Sequence, residues 1–212
     1  GKKFELVIPR DFKEHIEMIN KKKVAFSYQN PCVFLKIWPM CQPLLLTEKI
    51  KEFGTTESRG VIITNKNSGI RNIDDLEGKK VSIVSYLSAE GYISQKNYLS
   101  GMMIDVKSDL RLREADQSFH EEVFNDVMNK KADAGFLSEE AFLDLTNSES
   151  SFSKEEKERI SMLKETSYVP NWIFSAVNGV RQDLVDEVAE ALLNIPLDDR
   201  LLKTACIRRF VV

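Results

Sequence analysis

Cysteine is scarce and odd in number: Cys32, Cys41 and Cys206 are the three present, and no two stand at C-x-x-C spacing. At most one disulfide can form, and free buried thiols are the expected state for two or all three. No apolar stretch approaches the roughly 20 residues that span a bilayer. The N-terminus also lacks the basic, apolar and small-residue order of a signal peptide, which taken alone points toward the cytoplasm, although the first residue is Gly1 and not methionine. An excess of positive charge is missing too. Thirty Lys and Arg face thirty-three Asp and Glu, for a net charge of −3, so nothing favours nucleic acid or an anionic membrane surface. H-E-x-x-H, the P-loop, G-x-G-x-x-G and a nucleophile elbow are all absent, which leaves no catalytic signature and no call for a cofactor or a metal. Cys32 with His120 is the one imaginable nucleophile and base pair, and nothing around Cys32 marks it as activated.

What is present is a 212-residue chain with 42% hydrophobic residues, enough for one large domain or two small lobes. "FELVIP" reads as a strand, and Asp11 with Glu14 resembles a capping box opening a helix that carries Phe12, Ile16 and Ile19 on one face. His15 on that helix is expected to face solvent. "KVAFSY" reads as a second strand, and Pro31 in "NPCVFLKI" suits a first helical position. "QPLLLTEKI" and "SRGVIITNK" are strands on either side of a charged loop. "NIDDLEGKKVSIVS" gives a short helical turn closed by Gly78 and then a buried strand. A helix spans 89–101, "LRLREA" is a strand, and Ser118 with Glu121 caps a periodic helix carrying Phe119, Val123, Phe124, Val127 and Met128. "ADAGFL" follows as a strand, and 146–158 reads as a solvated connection. "RISMLKE" and "NWIFSAVN" are strands, and an amphipathic helix at 183–195 carries Leu184, Val188, Leu192 and Ile195. Strands alternating with helices predict parallel sheets covered on both faces, with a ligand beyond the carboxyl ends of the strands. That rule sets residues 85–91 and 116–120 at one edge and 9–12 and 30–32 at another.

Several pieces in order, "AFSYQNP", "SRGVIITNKNSGIRNIDDLEGKKVSIV", "SAEGY", His120 with "ADAGF" thirteen residues on, and "YVPNWIFSAVN", resemble the periplasmic phosphonate-binding proteins of the type 2 periplasmic-binding superfamily. The resemblance runs from Phe4 to Phe210. It implies an α/β two-lobe architecture with mixed, mostly parallel sheets and two hinge crossover strands, at 60–65 and 171–177. Lobe 1 would be 1–65 with 169–212, and lobe 2 would be 66–168. The family starts with a further strand and helix that have no counterpart here, which implies a shortened chain or a first lobe completed by another chain, through chain exchange or a dimer.

The resemblance also implies a site. In the family, hydroxylated residues before "GY" grip the ligand's oxygens at a helix start, where exposed N–H groups favour an anion. The matching run here is Ser88, Ala89 and Glu90. Only Ser88 keeps a hydroxyl, and Glu90 brings a negative charge. A plain helix cap at Ser85 or Ser88 would explain the same residues without a ligand. His120 is placed to reach the same crevice, against the alternative of a surface histidine at a helix start. On the other lobe, Phe12 and Cys32 stand where the family commonly has tyrosines. Tyr28, Gln29 and Asn30 remain as polar groups, and Trp172 is placed either to stack on a ligand or to join the core. The acidic runs "SEEAFLDL" and "SKEEKE" read as solvated helix faces.

The expectation is therefore a non-catalytic, periplasmic or extracytoplasmic solute-binding protein of the phosphonate ABC-transporter type, closing on a small polar or anionic molecule. Its partner would be an ABC permease. The alternative is the ligand-sensing domain of a membrane-bound signalling protein such as a histidine kinase, and membrane association would follow from a sensor or lipoprotein context. A degenerate interaction module and an enzyme on the same fold are further rivals.

Overall fold

The computed structural model describes residues 2–50, 55–116, 118–147 and 150–212. The charged loop after Ile50 and part of the 146–158 connection fall outside them.

Helix α1 (Phe12–Asn20) starts where the Asp11 side chain accepts the Glu14 N–H, and β1 (Phe26–Gln29) and α2 (Pro31–Ile37) follow. β2 (Cys41–Lys49) leads across to β3 (Glu57–Asn65) and β4 (Lys80–Ile83). A π-helical turn at Ala89–Ile93 runs directly into α3 (Ser94–Gly101). Then come β5 (Arg111–Glu114), α4 (His120–Met128), β6 (Ala134–Ser138), α5 (Glu139–Thr146) and α6 (Lys154–Glu158). The chain closes with β7 (Ile160–Pro170), β8 (Ile173–Val177), α7 (Gln182–Leu193), α8 (Arg200–Thr204) and β9 (Ile207–Val211).

These strands form two sheets, one in the order β1-β8-β2-β9 and one in the order β5-β4-β6-β3-β7. The α/β architecture with two sheets agrees with the expectation from sequence. Strand direction differs from it. Among the described residues, parallel pairing is confined to β4 with β5 and β6, and the other ladders are antiparallel. The reason is the chain path: the chain enters the five-stranded sheet through β3 and returns to the first sheet through β7, so these two neighbours run in opposite senses and pair antiparallel. β3 pairs with β6 and β7 along its length and so sits inside the five-stranded sheet.

The five-stranded sheet is buried on both faces, as the β-branched runs require. Val61 and Ile63 point into one cluster with Val123, Phe124 and Val127 of α4, whereas Ile62 joins Val81, Ile83, Tyr92 and Leu99 on the opposite face. The four-stranded sheet has a smaller core of Ile19, Phe34, Ile37, Cys41 and Val177. The two units are joined by residues 50–56 and by Asn171–Trp172. Asn171 is fully buried and clips these connections together. Its amide Nδ2 donates to the carbonyls of Thr47 (3.1 Å) and Thr55 (2.9 Å), and its N–H donates to Thr56 O (2.8 Å).

Several local expectations are corrected. "FELVIP" forms no strand: residues 2–9 have no regular structure, with Leu6 and Ile8 exposed, because the alternating pattern finds no partner strand. Ser118 does not cap α4. Its left-handed backbone (φ 58°) marks a turn, the helix opens at His120 after an extended Phe119, and the Phe119 ring is exposed. His15 is half-buried and within 2.8 Å of Ser27 Oγ, and burial pushes its pKa down. In α7 the fully buried residue is Val185, with Leu184, Val188 and Leu192 only partly covered. The three cysteines are free, but Cys206 is exposed.

Candidate functional site

The helix that runs from Ala89 to Gly101 is the best-fixed element near the junction of the two units. Ser88 Oγ accepts the Gly91 N–H at 2.9 Å, which makes Ser88 the cap, while Ser85 Oγ instead donates to Glu114 at 2.6 Å. The helix start lies flush on β3 because Gly60 has no side chain. A Cβ at Gly60 would stand 2.2 Å from Gln95 Nε2, 2.3 Å from Ser94 Oγ and 2.4 Å from Glu90 O. Gln95 is fully buried, and its amide donates to the carbonyls of Glu90 (2.7 Å), Val61 (3.1 Å) and Leu137 (3.1 Å). These bonds lock the helix to β3 and β6, and with it the direction of Glu90.

Glu90 is almost wholly buried, at 6% exposure. The Ser58 hydroxyl donates to its carboxyl at 2.8 Å, and its own backbone N–H adds a second bond. Burial raises its pKa, and those bonds oppose the rise without cancelling it. Residues of the four-stranded unit stand within reach of its charge: Tyr28 of β1, Cys32 at the start of α2 and Lys49 at the end of β2. Burial, and then the Glu90 charge, push the Cys32 thiol up to about 11, so it is no ready nucleophile. Tyr28 is raised by burial; its hydroxyl lies 3.2 Å from Thr47 Oγ1 and its ring 5.1 Å from that of Trp172.

Lys49 spans the junction. Its ammonium pairs with Glu140 of α5 at 3.1 Å, with a side chain only 16% exposed. Burial is the largest single influence and works against its charge, but Glu140, Tyr28 and Glu90 together outweigh it and the pKa rises. Beside this pair Arg59 meets Glu139, and also Glu165 at 2.7 Å. The "SEEAFLDL" acids are therefore not a solvated face: Glu139 is buried and Glu140 is engaged across the junction, because Ser138 caps α5 with its first turn toward β2 and β3.

Toward solvent the two units border a crevice of about 210 Å³ lined by Asp11, Phe12 and Lys13 on one side and Ser85, Glu114, Ala115, Asp116 and Ser118 on the other. Phe12 lines this crevice, whereas Tyr28, Cys32 and Glu90 meet at the buried junction of the units, with the Trp172 ring packed on that of Tyr28. Asn30 is buried at the cap of α2, where Oδ1 accepts the N–H groups of Cys32 (2.8 Å) and Val33 (3.1 Å), while Nδ2 has no partner. Ser88 and Ala89 are buried behind Glu90. His120 sits at the end of β6, where Nδ1 accepts the Ser138 N–H at 3.1 Å. Burial lowers its pKa to about 4, so the ring is neutral near pH 7 with its proton on Nε2. Lys49, Ser58 and Glu140 were not legible as site residues. The one sequence signal was Lys49 closing a strand just before the first crossover.

A profile of the family described as "ABC transporter, phosphonate, periplasmic substrate-binding protein" matches residues 1–212. The chain belongs to this family. Among solved structures, it is similar to a binding-protein component of an ABC phosphonate transporter from Pseudomonas aeruginosa, with TM-score 0.80 and 15% identity over 95% of this chain and 67% of that one. It is also similar to PhnD1 from Prochlorococcus marinus in complex with methylphosphonate, with TM-score 0.78 and 14% identity over 97% of this chain and 78% of that one. Both are phosphonate-binding proteins, and the likeness establishes the two-lobe fold. A curated relative, the tetrathionate sensor histidine kinase TtrS of Salmonella typhimurium, is 27% identical over 202 residues, which is 89% of this chain and 33% of the relative. The chain thus spans about one third of the length of that relative.

Proposed function

We propose that this chain is an extracytoplasmic clamp that closes on a small polar solute without transforming it. Its halves divide at the two connections, 50–56 and 171–172. The second is close to the boundary expected at 168/169, but the first precedes the one expected at 65/66 by the length of β3, which lies within the five-stranded sheet and so is not itself the hinge. The observation that carries the proposal is the polar junction of the halves, where Glu90 from one half interacts with Tyr28, Cys32 and Lys49 from the other, beside a crevice lined by residues of both. A solute that touches both halves only when they are shut shifts the population toward the shut form by its differential affinity. Ser88, Asn30, Phe12, Trp172 and His120 are assigned to this clamp as second contacts.

The family description implies delivery of the solute to an ABC permease. A sensing role is favoured by one particular observation: the chain aligns with about a third of a sensor histidine kinase, which is the proportion of an input domain. In that role closure is relayed to an attached signalling domain and not to a permease. Thermal-shift screening with phosphate, phosphite, alkylphosphonates, other small oxyanions and small amines tests the clamp. A solute present at a hundred times its Kd adds about 2.7 kcal/mol to the folded state. At least one solute is expected to raise the midpoint with concentration, and a flat response to the whole panel refutes the proposal.

A further inference from the structure

We propose a second ligand site on the five-stranded unit, between the start of α3 and the edge strand β5, for a small molecule that carries an anionic group on an apolar body, such as an aryl phosphate or an aryl carboxylate. The site is independent of the clamp proposed above. Its cavity, of about 590 Å³, is lined by residues including Tyr86, Tyr92, Lys96, Lys107, Leu110 and Leu112, and shares none with the crevice between the units. β5 ends the strand order of its sheet, so this side carries no neighbouring strand. Tyr92 sits on the π-helical turn that runs into α3 and is 3% exposed, yet its hydroxyl has no hydrogen-bond partner. Buried polar groups are nearly always paired, and an unpaired one lowers stability. Left open on a residue that lines a cavity, this hydroxyl is a donor free for a ligand. Burial, and then Tyr86 and Asp105, push its pKa up, so it keeps its proton.

Two cations line the same cavity. Among the described residues, neither the Lys96 nor the Lys107 ammonium has an ion-pair or hydrogen-bond partner. Both also line an adjoining hollow of about 400 Å³ beside Ser100 and Met103, so the two hollows meet at the lysines. The acid that acts on Tyr92 is the exposed Asp105, whose Oδ1 accepts the Lys107 N–H at 2.9 Å. Two free ammoniums and a phenol donor against that one carboxylate favour an anion. The rest of the wall is apolar. Leu110 is buried and Leu112 half-buried, and the exposed Tyr86 ring stands edge-on to Tyr92 at 5.1 Å. An aryl group covers these surfaces, whereas a bare inorganic anion leaves them wet.

The test is titration calorimetry with phenyl phosphate, benzoate, inorganic phosphate and benzyl alcohol, on the wild type, Tyr92→Phe, the Lys96→Gln/Lys107→Gln double variant and, as a control in the crevice, Lys13→Gln. Urea unfolding of each ligand-free protein runs beside it. The wild type is expected to bind phenyl phosphate or benzoate with a Kd below about 1 mM, and inorganic phosphate and benzyl alcohol at least about tenfold more weakly. The double variant is expected to lose about tenfold or more in affinity for the aryl anion, and Lys13→Gln to lose none. Tyr92→Phe is expected to lose about fivefold or more while raising the urea midpoint, because it removes both the donor and the unpaired hydroxyl. A purely structural tyrosine would not move binding and stability in opposite directions. Tyr92→Phe keeps the ring in place and so carries the test if the double variant does not fold. No binding of either aryl anion up to about 10 mM overturns the inference. So does binding that the site variants leave unchanged, binding lost in Lys13→Gln but kept in the site variants, or a Tyr92→Phe protein less stable than the wild type.

Discussion

Replacing Gly60 by alanine tests how tightly the site-bearing helix is seated. The added methyl would stand 2.2–2.4 Å from Gln95 Nε2, Ser94 Oγ and Glu90 O, over an ångström inside ordinary van der Waals contact. Ser94 can rotate its hydroxyl away. Glu90 O is backbone, and the Gln95 amide is held by three carbonyls, so neither yields alone. The helix must lift from β3, at an overpacking cost of about 1–3 kcal/mol, or Gln95 must surrender hydrogen bonds worth about 1 kcal/mol each. A net loss of about 3 kcal/mol is expected. Urea unfolding at 25 °C followed by circular dichroism reads this directly: at a slope near 2–3 kcal/mol per molar, the midpoint falls by about 1 M or more. Gly101→Ala is the control. It lies at the end of the same helix with open space around its Cβ, and the change is expected to stabilise by about 0.4–1 kcal/mol. A Gly60→Ala protein within about 0.5 kcal/mol of wild type would refute the close seating of the helix on β3.

His120 carries a folded-state pKa near 4 against about 6.5 when unfolded. A depressed pKa contributes stability that is complete above about pH 6.5 and drains as pH falls toward 4, by on the order of 3 kcal/mol at most. His120→Asn, which keeps an acceptor for the Ser138 N–H, is expected to flatten the unfolding midpoint between those pH values; an unchanged slope would remove His120 as its source. Lys49→Met strips the cation from between Glu140 and Glu90 and is expected to destabilise contact between the halves by about 1–3 kcal/mol, seen as a larger radius of gyration in solution scattering. An unaltered scattering curve would show that the pair does not hold the halves together. Asn171→Ala removes both side-chain bonds that clip the connections, and a loss of about 2 kcal/mol is expected in chemical unfolding, with no loss contradicting the clip.

The sheet strands were legible because Val61–Ile63, Val81–Ile83 and the "ADAGFL" run are dense, short and bounded by turn residues, which suits strands buried on both faces. The cap at Ser88 was legible for a local reason as well, since capping needs only a hydroxyl three residues before an N–H. What sequence could not yield depends on distance along the chain. Lys49 and Glu140 are 91 residues apart, and each looks solvated among its neighbours. His15 was read as solvent-facing because its partner Ser27 lies on another element. "FELVIP" alternates like a strand, but alternation specifies only a face and cannot supply the neighbour that a ladder requires. Ser118 has the composition of a cap, and the turn that disqualifies it is set by the fold around it.

Two spin labels read the hinge between the halves directly, one on α8 at Leu201 and one at Met103 after α3, both exposed, in a Cys206→Ser background. Pulsed electron resonance on the free protein should give an open and a shut distance. A solute that raises the unfolding midpoint should collapse the distribution onto the shorter one. A single distance, unmoved by every stabilising solute, would mean that the two sheets form one rigid body and that the crevice does not close.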